Sequence, residues 1–523
     1  MHTTKCYRRL LTATAVTGTL ALAACQSSSS NADGTGAKTI TIAMNAEPAS
    51  LDPALSQSTA EALTYIDLAY EPLITQDGNG ALSPGLATSW KYTNKALTTF
   101  QLTLRPDAKF SDGQPVTAAD VVKSVDRDKT ANGVIATTYA DLIKSATATG
   151  SDTVTLNLSK PDPVIAQLLT QEFLVGAIVG PKGLADPKSL GTTTDGAGPY
   201  MLDAAQTVAG QHYTYVPNPY YWDKSAVHFT QFTVDVIPNP QTAYNALRSG
   251  QVSFIDGSPD TISQASGKSS LTVYSAPAAW YGVDLIDRSG ALVPALAKQQ
   301  VREALNYAVN RAAVTQTLFD GYGTPTDEIS DSAYAGEGYD PSYTAHYTYD
   351  PAKAKQLLAQ AGYPNGFTLT IDAAATFGDG VEVSQAIASY WAAIGVKAQI
   401  DDTPDSSVYV GLLVAKKVPA LAFDYGVQPM FLESTDLLDQ GGGLFNAFGS
   451  TDPELSRLLA TARAATTPAA ESSDWAAVEQ RVVDLGWFVP VAVGAEQFYG
   501  AKSLQGVDIS AENSSPDPVE FHF

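Results

Sequence analysis

Residues 367–400 read FTLTIDAAATFGDGVEVSQAIASYWAAIGVKAQI. Apolar and polar residues alternate from Phe367 to Ile371, which predicts a strand because strand side chains point to opposite faces in turn. A helix is predicted from about Val381 to Ile394, and Gly395 ends it. The alternation returns over residues 396–400 as a second strand. Strand, helix and strand at this spacing indicate a βαβ unit, so we expect an α/β domain.

The residues before this unit predict further helices. Asp350 is expected to cap a helix that begins at Pro351, since a short acidic side chain accepts from first-turn amides and proline fits the first helical position. Gly362 ends that helix. Apolar residues recur at helical spacing along residues 301–312, which predicts a helix there.

The N-terminal half is richer in strands. Alternating apolar residues predict strands over residues 38–44, 100–104 and 154–158. Thr117 and Asp120 stand three residues apart before an apolar stretch, which is the spacing of a helix capping box. Strands and helices are therefore mixed along the whole chain, as in the α/β class.

The size and charge of the chain narrow the class of protein. It has 523 residues, of which 44% are hydrophobic and 16% charged. That length favours two or three globular domains, with cores that need neither disulfides nor structural metals. The net charge of −23 repels phosphate backbones, so we expect no nucleic-acid partner. Acidity of this kind also keeps an exported protein soluble.

The first 25 residues predict export. Lys5, Arg8 and Arg9 form a positive start, and residues 10–24 form an apolar run shorter than the ~20 residues of a membrane span. The run ends in Leu-Ala-Ala followed by Cys25, which resembles the bacterial lipobox, in which that cysteine becomes the lipidated first residue. A membrane anchor and a plain secretory signal with an accidental cysteine are the alternatives.

We therefore expect a lipoprotein signal peptide at residues 1–24 and a flexible tether at residues 25–37, which are small and polar after the cysteine. Cys6 would leave with the signal, so the mature chain would have one thiol and no disulfide. Arg8 and Arg9 leave open whether export uses the general secretory or the twin-arginine route. The expected location is the outer face of the cytoplasmic membrane, or the periplasm, with a lipid anchor.

A series of short motifs runs in order along most of the chain. The motifs are EPASLDP at 47–53, YEPL at 70–73, LATSW at 86–90, LRPDAKFSDG at 104–113, VTAADV at 116–121, GPY at 198–200, NPYYW at 218–222, VREALNYA at 301–308 and YDPAKAK at 349–355. Together they resemble family 5 of the extracytoplasmic solute-binding proteins, the peptide- and nickel-binding subunits of ABC importers. Most are turns and caps by their own chemistry, so they identify a fold and not a ligand.

The resemblance implies a two-lobed clamshell of the type II periplasmic-binding-protein kind, with an extra inserted subdomain. It implies lobe I at residues 38–74, 194–275 and 490–523, the inserted subdomain at residues 75–193, and lobe II at residues 276–489. The chain would cross between the lobes near Ala276–Tyr281 and near Pro490–Glu496. Trp280 and Tyr281 lie at the first crossing, where the family places ligand-facing side chains. A packed hinge aromatic is the alternative.

Two loops add further candidates for ligand binding. Gln57 and Thr59 lie in an early loop that matches a ligand-touching region of the family. Phe445 and Asn446 follow a run of three glycines, and glycine lets a loop approach a ligand closely.

The segment before Pro429 departs from the family pattern. Peptide-binding relatives carry an Asp-Tyr-x-Asp-Pro-like stretch there, in which a carboxylate holds the α-ammonium group of the peptide. This chain reads AFDYGVQP at residues 422–429. Gln428 thus stands where the second Asp belongs, and an amide holds an ammonium group less well than a carboxylate does. We expect Asp424 to supply the charge instead, and a role in capping or turning the chain is the alternative.

Catalytic motifs are missing from the sequence. Neither Gly-x-Ser-x-Gly nor His-Glu-x-x-His occurs. Gly267-Lys268-Ser269 ends like a phosphate-binding loop, but Ile262 stands where the first glycine is required. The histidines of the mature chain are not paired at metal-ligand spacing. We therefore expect no catalysis, no cofactor and no metal site.

The expected function is that of the substrate-binding lipoprotein of an ABC importer. It would capture a peptide or a similar small solute between two closing lobes, as a monomer, and deliver it to permease and ATPase subunits. The alternative is a lipid-anchored receptor of the same fold that acts in signalling or as a chaperone without import. A secreted hydrolase is the third alternative, because the sequence has none of the catalytic motifs sought.

Overall fold

The structure is a computed structural model that describes residues 38–56, 59–78, 80–131, 140, 142–319, 321–334, 337–373, 380–403, 406–439, 445–465, 468–511 and 515–523. The predicted signal, the tether, Cys25 and Gln57 lie outside the described residues.

The described part alternates strands and helices throughout. The strands are β1 Thr39–Met44, β2 Ile74–Gln76, β3 Leu82–Pro84, β4 Ala87–Tyr92, β5 Thr99–Leu104, β6 Ile143–Ala148, β7 Thr153–Leu158, β8 Tyr200–Leu202, β9 His212–Pro217, β10 Gln231–Val236, β11 Phe254–Asp256, β12 Leu271–Asp284, β13 Gly323–Pro325, β14 Thr368–Ala373, β15 Lys397–Asp402, β16 Leu421–Gly426 and β17 Phe488–Ala501. The helices are α1 Thr59–Ile66, α2 Ala118–Asp128, α3 Ile165–Leu168, α4 Pro181–Ala185, α5 Pro240–Ser249, α6 Pro259–Ala265, α7 Gln299–Tyr307, α8 Arg311–Leu318, α9 Pro351–Gln360, α10 Gly380–Ala392, α11 Ser406–Val414, α12 Met430–Glu433, α13 Pro453–Ala462 and α14 Pro468–Leu485.

One large mixed sheet organises the molecule. Its strand order is β15-β14-β16-β12-β17-β11-β1-β10-β9-β8, and β13 also pairs with β17. A separate antiparallel sheet has the order β4-β5-β7-β6, and β2 pairs with β3. Strands and helices are thus interleaved in a mixed α/β fold, as expected.

The predicted βαβ unit is present. β14 and β15 pair in parallel over their full lengths, and α10 connects them. Trp391 on α10 is fully buried, and its Nε1 donates to the Leu305 carbonyl oxygen at 3.0 Å. Burying an apolar side chain of this size stabilises the fold by about 2–3 kcal/mol, and the hydrogen bond ties α10 to α7.

The strands β12 and β17 join the two halves of the large sheet. They pair antiparallel from end to end, with Ala276 opposite Glu496 and Tyr281 opposite Ala492. The two segments predicted to cross between lobes therefore lie side by side. The residue limits of the lobes and of the inserted subdomain stay predictions.

Helix ends follow the capping chemistry, with one exception to the expected pattern. Thr117 and Asp120 form the full capping box, and the Asp350 side chain accepts from the amide three residues on at 2.8 Å. The helix expected over residues 301–312 is instead two helices, α7 and α8. Asn310 breaks it, because its side chain accepts from the amide three residues later at 3.1 Å and begins a new helix.

Among the described helices, none has the length and apolar character needed to cross a membrane.

Candidate functional site

Four aromatic residues meet beside the middle of the large sheet. The Phe423 ring lies 4.9 Å from Trp280, stacks on Tyr425 at 5.2 Å with 8° between the planes, and meets Phe445 edge-on at 4.9 Å. Alternation along β16 puts Phe423 and Tyr425 on one face, and the register with β12 puts Trp280 opposite Tyr425. We call Trp280, Phe423, Tyr425 and Phe445 the aromatic wall.

A short polar relay runs along the edge of the wall. Gln428 Nε2 donates to the Tyr425 hydroxyl at 2.9 Å, and that hydroxyl donates to Asp436 Oδ2 at 2.6 Å. Burial raises the pKa of Asp436, while the Tyr425 hydroxyl and the charge of Lys160 oppose the rise. An amide, a hydroxyl and a carboxylate are therefore ordered beside stacked rings, which is the chemistry that holds a solute with both apolar and polar groups.

Two other candidates lie on the opposite face of the same strands. Tyr281 pairs with Asp424 across β12 and β16, and the Tyr281 ring packs on Phe319 at 5.1 Å. The structure thus brings Tyr281 and Asp424 together and separates them from Tyr425 and Gln428. Asp424 is partly exposed, and its role as an amine anchor stays a prediction.

The Trp280 ring is fully buried, and the Phe488 ring meets it edge-on at 5.7 Å. This packing is typical of a hinge aromatic, the alternative given for it above. The ligand-facing role of Trp280 stays a prediction.

The structure gives different surroundings for the ligand-binding residues that were predicted on loops. Asn446 is buried, and its amide donates to the carbonyl oxygens of Leu438, Asp439 and Ser450 at 3.1–3.3 Å. Its polar atoms therefore shape the loop that carries Phe445. Thr59 begins α1. The ligand-binding roles of Asn446, Phe445 and Thr59 stay predictions.

Sequence reasoning overlooked Tyr425 and Asp436. The alternation of β16 contained the signal for Tyr425, because it sets neighbouring residues on opposite faces. Asp436 lies in a π-helical turn, Ser434–Leu438, of a kind often found at functional sites. No local sequence pattern predicts that turn.

Another acid, Glu433, lies near the wall. Glu433 is fully buried, and burial together with the neighbouring charge of Glu479 raises its pKa well above the usual range. This rise in pKa disfavours the ionised carboxylate, which is the form that attracts a cation. In the described residues no three His, Cys, Asp or Glu side chains are grouped so as to hold a metal ion.

Comparison with protein families gives one match across most of the chain. The model described as bacterial extracellular solute-binding proteins, family 5, middle region, matches residues 81–435. Among curated proteins, the chain is 27% identical over 381 residues to the glutathione-binding protein GsiB of Escherichia coli K12, covering 70% of this chain and 69% of that protein. It is 26% identical over 500 residues to GsiB of Shigella dysenteriae, covering 90% and 92%.

Solved structures show the same architecture. The periplasmic binding protein AgaA of A. tumefaciens R10, in complex with agropinic acid, is 25% identical with a TM-score of 0.75, and the match covers 92% of this chain and 96% of AgaA. HbpA2 of Haemophilus parasuis gives a TM-score of 0.77 at 22% identity, covering 92% and 98%. DppA of Helicobacter pylori, in complex with the peptide STSA, gives 0.73 at 20%, covering 93% and 98%. The chain therefore has the two-lobed fold of periplasmic binding proteins.

Proposed function

Because the chain belongs to family 5 of the bacterial extracellular solute-binding proteins, we propose that it is the substrate-binding lipoprotein of an ABC importer. In this role it captures a peptide or a similarly sized solute between two closing lobes and passes it to a membrane permease. Binding solutes for import is the work of the family as a whole. The lipid anchor and the class of solute are specific to this proposal.

The aromatic wall and its polar relay carry the proposal. They lie beside β12 and β16, and β12 in turn pairs with β17, the strand with which it joins the two halves of the sheet. Stacked rings bind apolar side chains or peptide planes, and the amide of Gln428 and the hydroxyl of Tyr425 are suited to backbone N–H and C=O groups. A solute of peptide size satisfies both kinds of surface.

The relatives support solutes built from amino acids. One is named for glutathione, and two of the similar structures hold agropinic acid and the peptide STSA. These are the ligands of those proteins. For this chain we infer a peptide or an amino-acid conjugate, which the mixed lining of the wall fits.

Closure around β12 and β17 would bury the solute and exclude water, as in other hinged binding proteins. The chain supplies no catalytic motif for a reaction on the solute, so the proposed cycle consists of capture and release. Lipid on Cys25 would hold the closing lobes at the outer face of the membrane, next to the permease.

The first experiment seeks the solute. The protein is purified from its host and examined by native mass spectrometry for a bound molecule, and its radius of gyration is measured with and without a peptide mixture. We expect a carried-over solute, released unaltered, and a more compact bound state. No bound solute together with no compaction by peptides would contradict the proposal, and release of a chemically altered solute would contradict the absence of catalysis.

A matched pair of variants then tests which face of β16 binds. Tyr425→Phe removes the relay hydroxyl and keeps the ring, while Tyr281→Phe makes the same change on the opposite face. We expect Tyr425→Phe to weaken solute binding by about 0.5–1.5 kcal/mol, the usual worth of one hydrogen bond. Tyr281→Phe should leave the affinity nearly unchanged. The reverse result would move the site to the face of Tyr281 and Asp424.

A further inference from the structure

One ion pair connects parts of the molecule that are far apart in sequence. Lys160 Nζ lies 3.1 Å from Asp439 Oδ2 and 3.4 Å from the Thr435 hydroxyl, across 279 and 275 residues. Lys160 follows β7 of the four-stranded sheet, while Thr435 and Asp439 follow β16 of the large sheet. The contact therefore bridges two separate sheets.

The loop that carries the lysine is held in place by its own side chains. The Tyr92 hydroxyl donates to the Asp162 carbonyl oxygen at 2.5 Å, and Asp162 Oδ1 accepts from the Val164 amide at 2.8 Å. Lys160 thus projects from a fixed stretch of main chain. Its side chain is 32% exposed and that of Asp439 is 25% exposed.

The acid is held on its own side independently of Lys160. Asp439 Oδ1 accepts from Arg463 Nη1 at 2.7 Å, and Arg463 Nη2 donates to the Ser434 hydroxyl at 2.9 Å. The turn Ser434–Leu438 therefore keeps its shape when Lys160 withdraws. Lys160 adds a second cation to an acid that already has one.

The same turn reaches the aromatic wall. Asp436 lies in it and accepts from the Tyr425 hydroxyl at 2.6 Å, and the charge of Lys160 favours the ionised form of Asp436. The ammonium group of Lys160 therefore faces both the acid that it pairs with and the acid that orients Tyr425.

We propose that Lys160, which lies in the predicted inserted subdomain, is a positioning residue that latches this subdomain to the Ser434–Asp439 turn of predicted lobe II and so favours the closed state. The latch favours closure even without solute and aligns the Tyr425–Asp436 relay as the lobes meet. The inference rests on the proposed function in one respect, that the lobes open and close.

The expected size of the effect follows from the exposure of the pair. A partly exposed ion pair changes an equilibrium constant about 1.5- to 5-fold. Salt at about 0.5 M screens such a pair, whereas about 0.02 M salt leaves it largely intact. The ratio of closed to open molecules should therefore depend on salt in the parent protein and lose that dependence without Lys160.

The test measures closure in the solute-free protein. Fluorophores are placed at the exposed residues Lys91 and Lys397, on the four-stranded sheet and on the edge strand β15, through noncanonical amino acids. Single-molecule energy transfer then gives the closed-to-open ratio at low and high salt for Lys160→Met and Lys160→Arg. Lys182→Met is the matched control, because Lys182 pairs with Asp112 at 3.2 Å and both residues lie in the predicted inserted subdomain.

Lys160→Met should lower the ratio about 1.5- to 5-fold at low salt and have no effect at high salt. Lys160→Arg should restore most of the closure, and Lys182→Met should leave it unchanged. Asp439→Asn should lower the ratio little further in Lys160→Met, because the Arg463 pair that it also breaks lies within predicted lobe II. An unchanged ratio for Lys160→Met, or an equal change for Lys182→Met, would overturn the latch.

Because no solute is present, this outcome is separate from that of the proposed function. A protein that opens and closes but shows no response to peptides keeps the latch and loses the proposed solute class.

Discussion

Glu71 is a buried carboxyl group whose replacement should change how stability depends on pH. Burial is the main cause that raises its pKa to about 7, and the neighbouring Asp517 raises it further. The hydroxyl of Tyr221, which donates to Glu71 Oε2 at 2.8 Å, and the charge of Arg105 oppose the rise. Asp67 is buried beside these acids, and its own pKa is also raised by burial and by their charges.

The sign of the effect follows from the direction of the shift. The folded-state pKa lies above the ordinary value of 4.5, so the stability that Glu71 contributes is fully present below pH 4.5 and is lost as the pH rises through 7. Each pKa unit corresponds to about 1.4 kcal/mol, so the loss across this window is about 3 kcal/mol.

Glu71→Gln removes the charge and keeps an acceptor for Tyr221. In urea denaturation at pH 8 the variant should be more stable than the parent by about 2–3 kcal/mol, and at pH 4.5 the two should be nearly equal. Glu454→Gln, a change at an exposed acid paired with Arg457, is the control and should leave the pH dependence between pH 4.5 and 8 unaltered, because Arg457 lowers the pKa of Glu454. Parallel pH profiles for the parent and Glu71→Gln would refute the reasoning.

Three further outcomes are expected. Cys25→Ala should move the protein from the membrane fraction to the soluble fraction, and retention as firm as that of the parent would contradict lipid attachment. Arg311→Met should lower the free energy of unfolding by about 3–5 kcal/mol, because Asp327, 2.5 Å from Arg311 Nε, would stay buried without its cation. Chemical denaturation measures this change, and a loss under 1 kcal/mol would contradict the account. Asp424→Asn, titrated with free and N-acetylated peptides, separates two roles: an amine anchor predicts a loss for the free amine alone, and a structural residue predicts equal losses.

Local chemistry was enough to predict several helix ends and the fold class. Thr117 with Asp120, and Asp350 before Pro351, cap their helices as their side chains dictate, because a cap needs only residues within one turn. The alternation over residues 367–400 likewise fixed the βαβ unit. Asn310 was missed because apolar spacing continues past it, while its side chain offers the backbone a competing bond that starts a new helix.

The site was harder to predict because its parts come from distant segments. Trp280 meets Tyr425 only because β12 pairs with β16. The sequence does not indicate which strand each of these two strands will pair with. The sequence pointed to Asp424 because it is the acid of its segment. In the strand, however, side chains alternate between the two faces, so it is the neighbour Tyr425 that lies on the face of Trp280. The Lys160–Asp439 contact spans 279 residues and follows from tertiary structure alone.

The central position of β17 has a consequence for how the chain is made. β17 fills the place between β12 and β11, yet it begins at Phe488, long after both neighbours have been synthesised. Until then those neighbours expose unpaired backbone edges, which invite pairing with other chains. Pairing partners so distant in sequence also form slowly. A nascent chain that stalls before Phe488 should therefore be prone to aggregate and need a chaperone. Once β17 is made, it pairs with both β12 and β11 and leaves neither edge open.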